Sequence, residues 1–413
     1  MRILNVVHQY LPEQVGGTEL YTHWVAGALS RRGQEITVFY RRSAEGIGEE
    51  RRTEGNVHVW SAWTGRQGPT RRFLATFGDL PMAQIFERAL DEIEPDLVHI
   101  QHLMGMPAGL IHSIRRRGIP YVVTLWDFWW ICANAQLLTN YSREICDGPK
   151  AYLNCARCVV ARSGRHWLSL ARPALAGLCG LRNRVLRQIL GTADRLIAPT
   201  PFVHRWYADQ GILEDKLLTL VPGLEHTPTP STQKRDETAM VRFAYIGGLS
   251  WQKGVHTLIE AFGQVQGQAE LWIAGDESSD PDYVAHLRTL ATPQVRFLGR
   301  LTREEVWQIL AQVDVVTVPT LWYETFSFVV SEAFTSGIPA VVSNLGPLSE
   351  RVRDGVDGLL VPAGDVEAWR TTLQRLVDDK DLRAHLQANV ERPMTLEQHV
   401  NHLEALYARC VSG

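Results

Sequence analysis

The sequence predicts an α/β protein built from two doubly wound domains, and three observations lead to this fold class. The chain has 413 residues, which is too long for one ordinary hydrophobic core. Short apolar segments alternate with helical patterns in both halves, and a polar stretch without periodicity separates the halves. Short strands that alternate with helices are typical of buried parallel sheets with right-handed crossovers. We therefore expect one parallel sheet in each half.

The N-terminal domain is predicted over residues 1–221. A glycine turn follows its first strand, and apolar residues then recur at helical spacing from Glu19 to Arg31. Further helical stretches separate the later strands. The predicted strands are RILNVVHQ, EITVFY, DLVHIQH and YVVTLW. A part rich in cysteine and arginine, at about 130–190, is predicted to be an insertion in this domain.

The C-terminal domain is predicted over residues 241–395. Its strands are VRFAYIGG, AELWIAG, VRFLGR, DVVTVPT and AVVSN, and its clearest helices are VHTLIEAFGQV and REEVWQILAQV. The segment 222–240, which is rich in proline, threonine and charge, is predicted to be a linker. Residues 396–413 regain helical spacing, so we expect a terminal helix that could cap either domain.

The overall composition excludes several classes of protein. A net charge of −3 gives no general attraction to nucleic acid. No apolar run reaches the roughly 20 residues of a membrane span, and the N-terminus lacks the features of a signal peptide. We therefore expect a cytoplasmic protein. In that compartment six cysteines argue against a disulfide framework.

Two glycine turns are candidate sites, because ligands of doubly wound domains bind beyond the carboxyl ends of the strands. Gly16 and Gly17 precede a helix, where backbone N–H groups can approach a phosphate, although two glycines also make an ordinary turn. In the second half, Gly247 and Gly248 follow a strand, and Lys253 stands just before the next helix. A cation there is unfavourable for the helix unless an anion binds. A solvated surface lysine is the alternative.

Two glutamates, Glu324 and Glu332, stand eight positions apart after the strand DVVTVPT. We expect a helix to begin near Phe326 or Ser327, so that the glutamates are about 12 Å apart along it. That length suits an extended ligand with a sugar at one end and a ribose at the other. Carboxylates accept hydrogen bonds from hydroxyl groups, and free N–H groups receive a diphosphate. The expected N–H groups belong to Thr325, Phe326, Ser327 and Phe328. The alternative for Glu332 is an exposed helix residue.

Nearly the whole chain resembles the retaining nucleotide-sugar glycosyltransferases of glycosyltransferase family four. The motifs that carry the resemblance are VGGTE, PDLVHIQH, YIGGLSWQKGVHTLIEAF, the E-x7-E pair of ETFSFVVSE, and SNLGPLSERVRDGVDGLLVPAGD. The resemblance implies the GT-B fold, with two doubly wound Rossmann-like domains facing across a cleft. It implies that Lys253 holds the donor diphosphate, Glu324 the transferred sugar and Glu332 the ribose. The terminal helix would cross back onto the N-terminal domain.

The resemblance implies further site residues and also shows two departures. Many family members carry arginine where this chain has Gly248, and many have a histidine at the position of Trp126. His102 is a candidate substitute for that histidine, and Asp127 is retained beside it, so both join Glu324 and Lys253 in the catalytic set. The implied donor-binding set further includes Gly16, Gly17, Gly247, Gly248 and Arg300.

The reaction implied by the resemblance is transfer of a sugar from a nucleoside-diphosphate donor with retention of configuration. We expect a UDP- or GDP-sugar, no essential metal for transfer, and a front-face mechanism. The acceptor would be a glycan, a lipid-linked sugar or a small molecule, in cell-surface polysaccharide or glycoconjugate synthesis. Two alternatives stay open: a nucleotide-sugar epimerase of the same fold, and a non-catalytic protein that binds nucleotide sugars or glycans.

Four cysteines lie close together in the sequence: Cys132, Cys146, Cys155 and Cys158. One C-x-x-C pair with two further cysteines resembles a tetrathiolate metal site. The sequence therefore predicts a structural zinc site, or less readily an iron–sulfur cluster. Separate thiols in a folded loop are the alternative.

The segment 148–193 contains no acidic residue, and its cations are interleaved with leucine and tryptophan. Such a segment can lie on an anionic membrane surface or meet an acidic acceptor. We therefore allow for peripheral attachment to the inner face of a membrane. The alternative is a solvated helix pair packed on the domain core. The basic residues are Lys150, Arg157, Arg162, Arg165, Arg172, Arg182, Arg184 and Arg187.

Overall fold

The apolar segments of the two halves form two separate sheets in the computed structural model, which describes residues 1–225 and 240–413. One unit is formed by Met1–Glu225 together with Thr395–Gly413, and the other is described over residues 240–394. The predicted fold class of two doubly wound α/β domains is confirmed. Of the predicted linker 222–240, residues 226–239 lie outside the described part of the chain.

The first unit contains an eight-stranded sheet with the order β3-β4-β2-β1-β5-β6-β7-β8. All neighbours are parallel except β3 and β4, which form an antiparallel hairpin at one edge. The hairpin was not predicted. The strands are β1 (Arg2–Val7), β2 (Glu35–Arg41), β3 (Ile47–Glu54), β4 (Val57–Thr64), β5 (Leu97–Ile100), β6 (Tyr121–Thr124), β7 (Arg195–Ala198) and β8 (Leu217–Thr219).

Helices connect these strands. Those of the first unit are α1 (Gly17–Arg31), α2 (Pro69–Ala75), α3 (Leu80–Ile93), α4 (Leu110–Arg116), α5 (Leu153–Ser163), α6 (Arg172–Thr192) and α7 (Pro201–Asp209). The central strands β1 and β5 are buried along almost their whole length, as expected when helices cover both faces of a parallel sheet.

The second unit contains a six-stranded, wholly parallel sheet with the order β11-β10-β9-β12-β13-β14. Its strands are β9 (Val241–Ile246), β10 (Ala269–Ala274), β11 (Val295–Gly299), β12 (Val315–Val318), β13 (Ala340–Ser343) and β14 (Gly358–Val361). Its helices are α8 (Val255–Phe262), α9 (Pro281–Leu290), α10 (Arg303–Leu310), α11 (Phe328–Thr335), α12 (Leu348–Arg351), α13 (Val366–Asp378) and α14 (Lys380–Ala388). Two apolar clusters, one including Trp369 and one including Phe334, form its core.

The chain returns to the first unit in α15 (Leu396–Ser412), which packs against α1 and β5. Two buried polar contacts fix the helix in the interior. The Tyr21 hydroxyl lies 2.6 Å from His399 Nε2, and the Tyr407 hydroxyl lies 2.6 Å from His99 Nδ1. Buried polar groups require such partners, so these contacts define one position of α15 on the unit.

No helix among the described residues is long and apolar enough to cross a lipid bilayer.

Candidate functional site

Lys253 and Glu324 form an ion pair in the second unit, with Nζ 2.5 Å from Oε1. The indole Nε1 of Trp322 donates a second hydrogen bond to the same oxygen, at 2.7 Å. Within the described chain the other carboxylate oxygen of Glu324 has no hydrogen-bond partner. The two predicted residues are thus brought together, and one carboxylate oxygen is left to accept a hydrogen bond from a ligand.

The pair forms because the turns that follow two neighbouring strands are in contact. Strands β9 and β12 pair directly, and Lys253 ends a 3-10 turn after β9. The backbone N–H of Leu321 donates to Gln252 O at 2.8 Å. Gly254 has a φ of +70°, and a Cβ there would lie only 1.9 Å from Pro319 O. This close approach admits only glycine beside the lysine.

Glu332 is buried in the second turn of α11 and binds an arginine that the sequence analysis missed. Nη1 of Arg303 donates to Glu332 Oε1 at 2.6 Å. Arg303 is the first residue of α10, where a cation is unfavourable for the helix dipole. The argument used for Lys253 would therefore have singled it out too. The predicted Arg300 is instead exposed and lies 3.9 Å from Asp276.

The turn between the two glutamates has an unusual backbone. Helix α11 begins at Phe328, and Ser327 precedes it in the left-handed region, with φ 62° and ψ 85°. Non-glycine residues seldom adopt this conformation. The first N–H groups of a helix have no partners within the helix and carry its positive dipole end. Thr325, Phe326, Ser327 and Phe328 therefore lie where an anion would be favoured.

The glycine pair after β9 leaves room for a larger residue. The N–H of Gly247 donates to Ala274 O at 3.0 Å, which continues the sheet by one residue. A Cβ built on Gly248 would meet nothing within 4 Å. The arginine expected at this position from the resemblance is therefore not excluded by lack of space. Because this chain has glycine in place of that arginine, Lys253 is the cation that the turn contributes.

In the first unit, Gly16 and Gly17 form the start of α1 beside a buried carboxylate. Gly16 is the N-cap, and a Cβ on it would lie 2.5 Å from Glu19 Oε2. Burial raises the pKa of Glu19, the largest effect on that group. His8, at the end of β1, places Nε2 3.8 Å from Glu19 Oε1. The sequence analysis did not single out His8 or Glu19, because one histidine after a strand and one glutamate in a helix do not by themselves indicate a functional site.

His102 and Asp127 follow β5 and β6 and contact one another at 3.1 Å, Nε2 to Oδ2. The backbone N–H of Met104 donates to His102 Nδ1 at 3.0 Å, so a neutral imidazole carries its proton on Nε2 and donates it to Asp127. The N–H of Trp129 donates to the other oxygen, Oδ1, at 2.8 Å. Both ring nitrogens of His102 are therefore engaged, one by Asp127 and the other by the backbone of Met104.

Trp126 occupies the core. It is 6% exposed, its Nε1 donates to Gln101 Oε1 at 2.8 Å, and its ring packs edge-on against Tyr21. Trp129 and Trp130 are also buried. These tryptophans stabilise the loop after β6.

The prediction of a zinc or iron–sulfur site is not supported. Among residues 1–225 and 240–413, no group of three or more His, Cys, Asp or Glu side chains could hold a metal ion. Burial raises the pKa of Cys132 and Cys155, and that of Cys158 to about 11. The thiol of Cys146 contacts Gly148 O at 3.4 Å. All four cysteines are free thiols, with Cys132 and Cys146 in the connection after β6 and Cys155 and Cys158 in α5.

The basic segment 148–193 forms α5, a 3-10 turn and α6. One of its cations is buried: Arg182 Nη2 donates to Trp129 O at 2.7 Å, within the core. The other arginines are exposed or partly exposed. Among its apolar side chains, Trp167 is 69% and Leu170 is 93% exposed. The segment is thus packed on the unit by one face and presents cations with apolar groups on the other.

Two family models match the chain. The glycosyl transferase 4-like domain matches residues 16–223, and the glycosyl transferases group 1 domain matches residues 241–379. A D-inositol 3-phosphate glycosyltransferase of Salinispora arenicola is 26% identical over 98% of this chain and 90% of its own length. A glycogen synthase of Mycobacterium tuberculosis is 29% identical over 92% of this chain and 86% of its own.

Solved structures share the fold. Alr3699/HepE of Anabaena, in complex with UDP and glucose, superposes with a TM-score of 0.68 at 18% identity, over 99% of this chain and 100% of that one. The GT-B fold implied by the sequence resemblance is confirmed by this similarity.

Proposed function

The chain belongs to the glycosyl transferase group 1 family, and from that premise we propose that it is a retaining enzyme whose second unit binds the nucleotide-sugar donor. The family is that of glycosyltransferases that use nucleotide-sugar donors. The observation that carries the finer proposal is the Lys253–Glu324 pair beside the start of α11, with Glu332 in the second turn of that helix.

Lys253 is the group that stabilises the departing diphosphate. As the bond from the sugar to the phosphate breaks, negative charge grows on the leaving group, and a cation fixed there lowers the barrier. In the free enzyme this charge is balanced by Glu324. A partly exposed ion pair of this kind contributes only about 1 kcal/mol, so a diphosphate can displace the carboxylate at small cost. The amide groups at the start of α11 supply further donors.

The two glutamates bind the hydroxyl groups at the ends of the donor. Glu324 retains a free oxygen for a hydroxyl of the transferred sugar. Glu332, held by Arg303 at 2.6 Å, accepts hydrogen bonds from the ribose. A charged acceptor makes a stronger hydrogen bond than a neutral one. The likeness to a protein solved with UDP and glucose supports a UDP-sugar as the first donor to test, with a GDP-sugar next.

Retention is proposed through a front-face reaction. The sugar passes through an oxocarbenium-like state, as in glycoside hydrolysis. The acceptor hydroxyl attacks the face from which the diphosphate leaves, the bond from the sugar to the phosphate oxygen breaks, and the acceptor proton passes to that phosphate oxygen. The carboxylate of Glu324 is engaged by Lys253 and Trp322, which suits hydrogen bonding better than covalent attack.

In the first unit, Asp127 is proposed to accept a hydrogen bond from a substrate hydroxyl, with His102 as its positioning residue. The proposed acceptor is a glycan, a lipid-linked sugar or a small polyol, in cell-surface polysaccharide or glycoconjugate synthesis. A polyol acceptor is supported by the relatives named for inositol phosphate and glycogen.

We further propose that the exposed side of segment 148–193 meets an anionic membrane surface. What supports this is the combination of exposed arginines with Trp167 and Leu170. Cations attract anionic headgroups, and an exposed tryptophan and leucine can enter the interface.

The test is binding and turnover of UDP-, GDP-, ADP- and dTDP-sugars by the purified chain. Tight binding of one donor, with slow release of its nucleoside diphosphate that accelerates with polyol or glycan acceptors, supports the proposal. The anomeric configuration of the product then tests retention. Binding without turnover under any acceptor favours a non-catalytic binding protein. Conversion of the donor sugar without an acceptor favours the epimerase.

A further inference from the structure

An arginine lies behind the turn that leads into α11. Arg351, the last residue of α12, donates from Nη1 to Phe326 O and, at 3.0 Å, to Ser327 O. Its Nη2 donates to Ser331 Oγ at 2.6 Å, and the guanidinium stacks on the Phe326 ring at 3.8 Å. Within the described part of the chain no carboxylate forms an ion pair with it. Burial lowers its pKa to about 9.

These contacts fix the direction of two peptide groups. In a trans peptide the carbonyl of one residue and the N–H of the next point in opposite directions. Because the carbonyl groups of Phe326 and Ser327 face Arg351, the N–H groups of Ser327 and Phe328 point away from it. Those two N–H groups belong to the set that is proposed to receive the diphosphate.

The same contacts stabilise an unfavourable backbone. Ser327 has φ 62°, in a region where the Cβ of an L-residue is crowded by the backbone. A glycine would adopt this conformation freely. Ser327 is held in this conformation because the Arg351 guanidinium binds its carbonyl group and that of Phe326. The planar guanidinium binds both carbonyl groups through Nη1 and the Ser331 hydroxyl through Nη2 while it stacks on Phe326. The single ammonium of lysine cannot reproduce this set of contacts.

We propose that Arg351 is a positioning residue for donor binding: it holds the Phe326–Ser327 turn in the conformation that presents the N–H groups of Ser327 and Phe328 to the diphosphate. The inference rests on the proposed function. It adds a residue that does not touch the donor, and it explains how a serine is tolerated at a left-handed position between Glu324 and Glu332.

The experiment is calorimetric titration of UDP and GDP into the purified full chain, for the wild type and for Arg351→Met, Arg351→Lys, Ser327→Gly and the double variant Ser327→Gly/Arg351→Met. Thermal unfolding is recorded for each variant. Arg353→Met is the matched control, since Arg353 lies two residues away but bonds Asp357 and Glu391 instead of the turn.

We expect Arg351→Met and Arg351→Lys each to raise the Kd for the nucleoside diphosphate at least tenfold. In the Ser327→Gly background the same Arg351→Met change should raise it less than threefold, because glycine does not require the support. Arg353→Met should leave the Kd within twofold of the wild type. A drop in thermal stability alone would not produce this dependence on Ser327.

Three results would overturn the inference: unchanged affinity of Arg351→Met, full affinity of Arg351→Lys, or an equal penalty with and without Ser327. If Arg351→Met does not fold, the lysine variant and the double variant still decide. A wild type that binds neither nucleotide is titrated with ADP and dTDP as well, and failure to bind any of the four would refute the proposed function and this inference with it. A wild type that binds, with variants that bind equally well, would refute only the inference.

Discussion

Lys253 Nζ lies 2.5 Å from Glu324 Oε1, although 71 positions separate the two residues in the chain. Each is held by a turn after one of two paired strands, so their proximity is a property of the sheet order and not of either turn alone. The cation and the carboxylate neutralise each other at the start of a helix, where the helix dipole favours an anion.

Removing either member of this pair should disable transfer without unfolding the chain. We expect Lys253→Ala or Glu324→Ala to lower kcat by about 100- to 1,000-fold, as when one fixed donor to a developing charge is removed. The measurement is turnover of the donor found to bind. Arg370→Ala, which removes an exposed ion pair of the same unit, is the control. Wild-type rates in either folded site variant would contradict the assignment.

The Arg303–Glu332 pair should stabilise the folded chain. Arg303→Met leaves the buried carboxylate of Glu332 without its partner, which we expect to lower the free energy of unfolding by about 3 kcal/mol. Urea unfolding measures this effect. Arg303→Met/Glu332→Gln should regain most of that stability, and Arg300→Met, at an exposed site, should lose none. Equal losses for Arg300→Met and Arg303→Met would contradict the pairing.

The fold was largely predictable from the sequence because short apolar segments and helical patterns are local. The β3–β4 hairpin was missed because Ile47–Glu54 is a polar, exposed strand at the edge of the sheet, beside β4. Charged edge strands of this kind resist further pairing and lack the apolar pattern of a central strand. The E-x7-E pair was visible because spacing places both carboxylates on one segment. Arg303 could have been found by the argument applied to Lys253, because it is a cation at a helix N-terminus. Arg351 could not, because it acts across a contact between elements that no local pattern specifies.

His102 should act only through Asp127. We expect Asp127→Asn to lower kcat/KM by about 10- to 100-fold, in the range of a lost hydrogen bond to a charged group. His102→Gln should cause a smaller loss in the wild type and almost none in the Asp127→Asn background. Residues in one hydrogen-bonded unit are non-additive in this way. Additive losses in the double variant would show that His102 contacts substrate itself.

Binding to anionic lipid should depend on the exposed apolar groups of the basic segment. Trp167→Ser/Leu170→Ser should weaken co-sedimentation with phosphatidylglycerol vesicles by at least about tenfold, since each side chain would bury apolar area in the interface. Leu213→Ser/Val411→Ser is the matched control, at exposed apolar positions outside the segment. Equal binding of the wild type to neutral phosphatidylcholine vesicles would refute the surface as an anionic-lipid site.

The buried histidines that hold α15 should make the protein labile to acid. Burial lowers the pKa of His99 to about 3 and that of His399 to about 4, whereas an unfolded histidine has a pKa of about 6.5. Between pH 6.5 and pH 4 the unfolded chain therefore binds more protons, so stability falls as the pH falls. At pH 5 the loss is about 2 kcal/mol for each histidine.

Urea unfolding at pH 7 and pH 5 measures this loss of stability. Burial also lowers the pKa of His8, so His399→Asn should flatten this dependence by about a third, whereas His112→Asn, at an exposed site, should leave the slope as it is. A wild type as stable at pH 5 as at pH 7 would mean that these histidines are protonated in the folded chain.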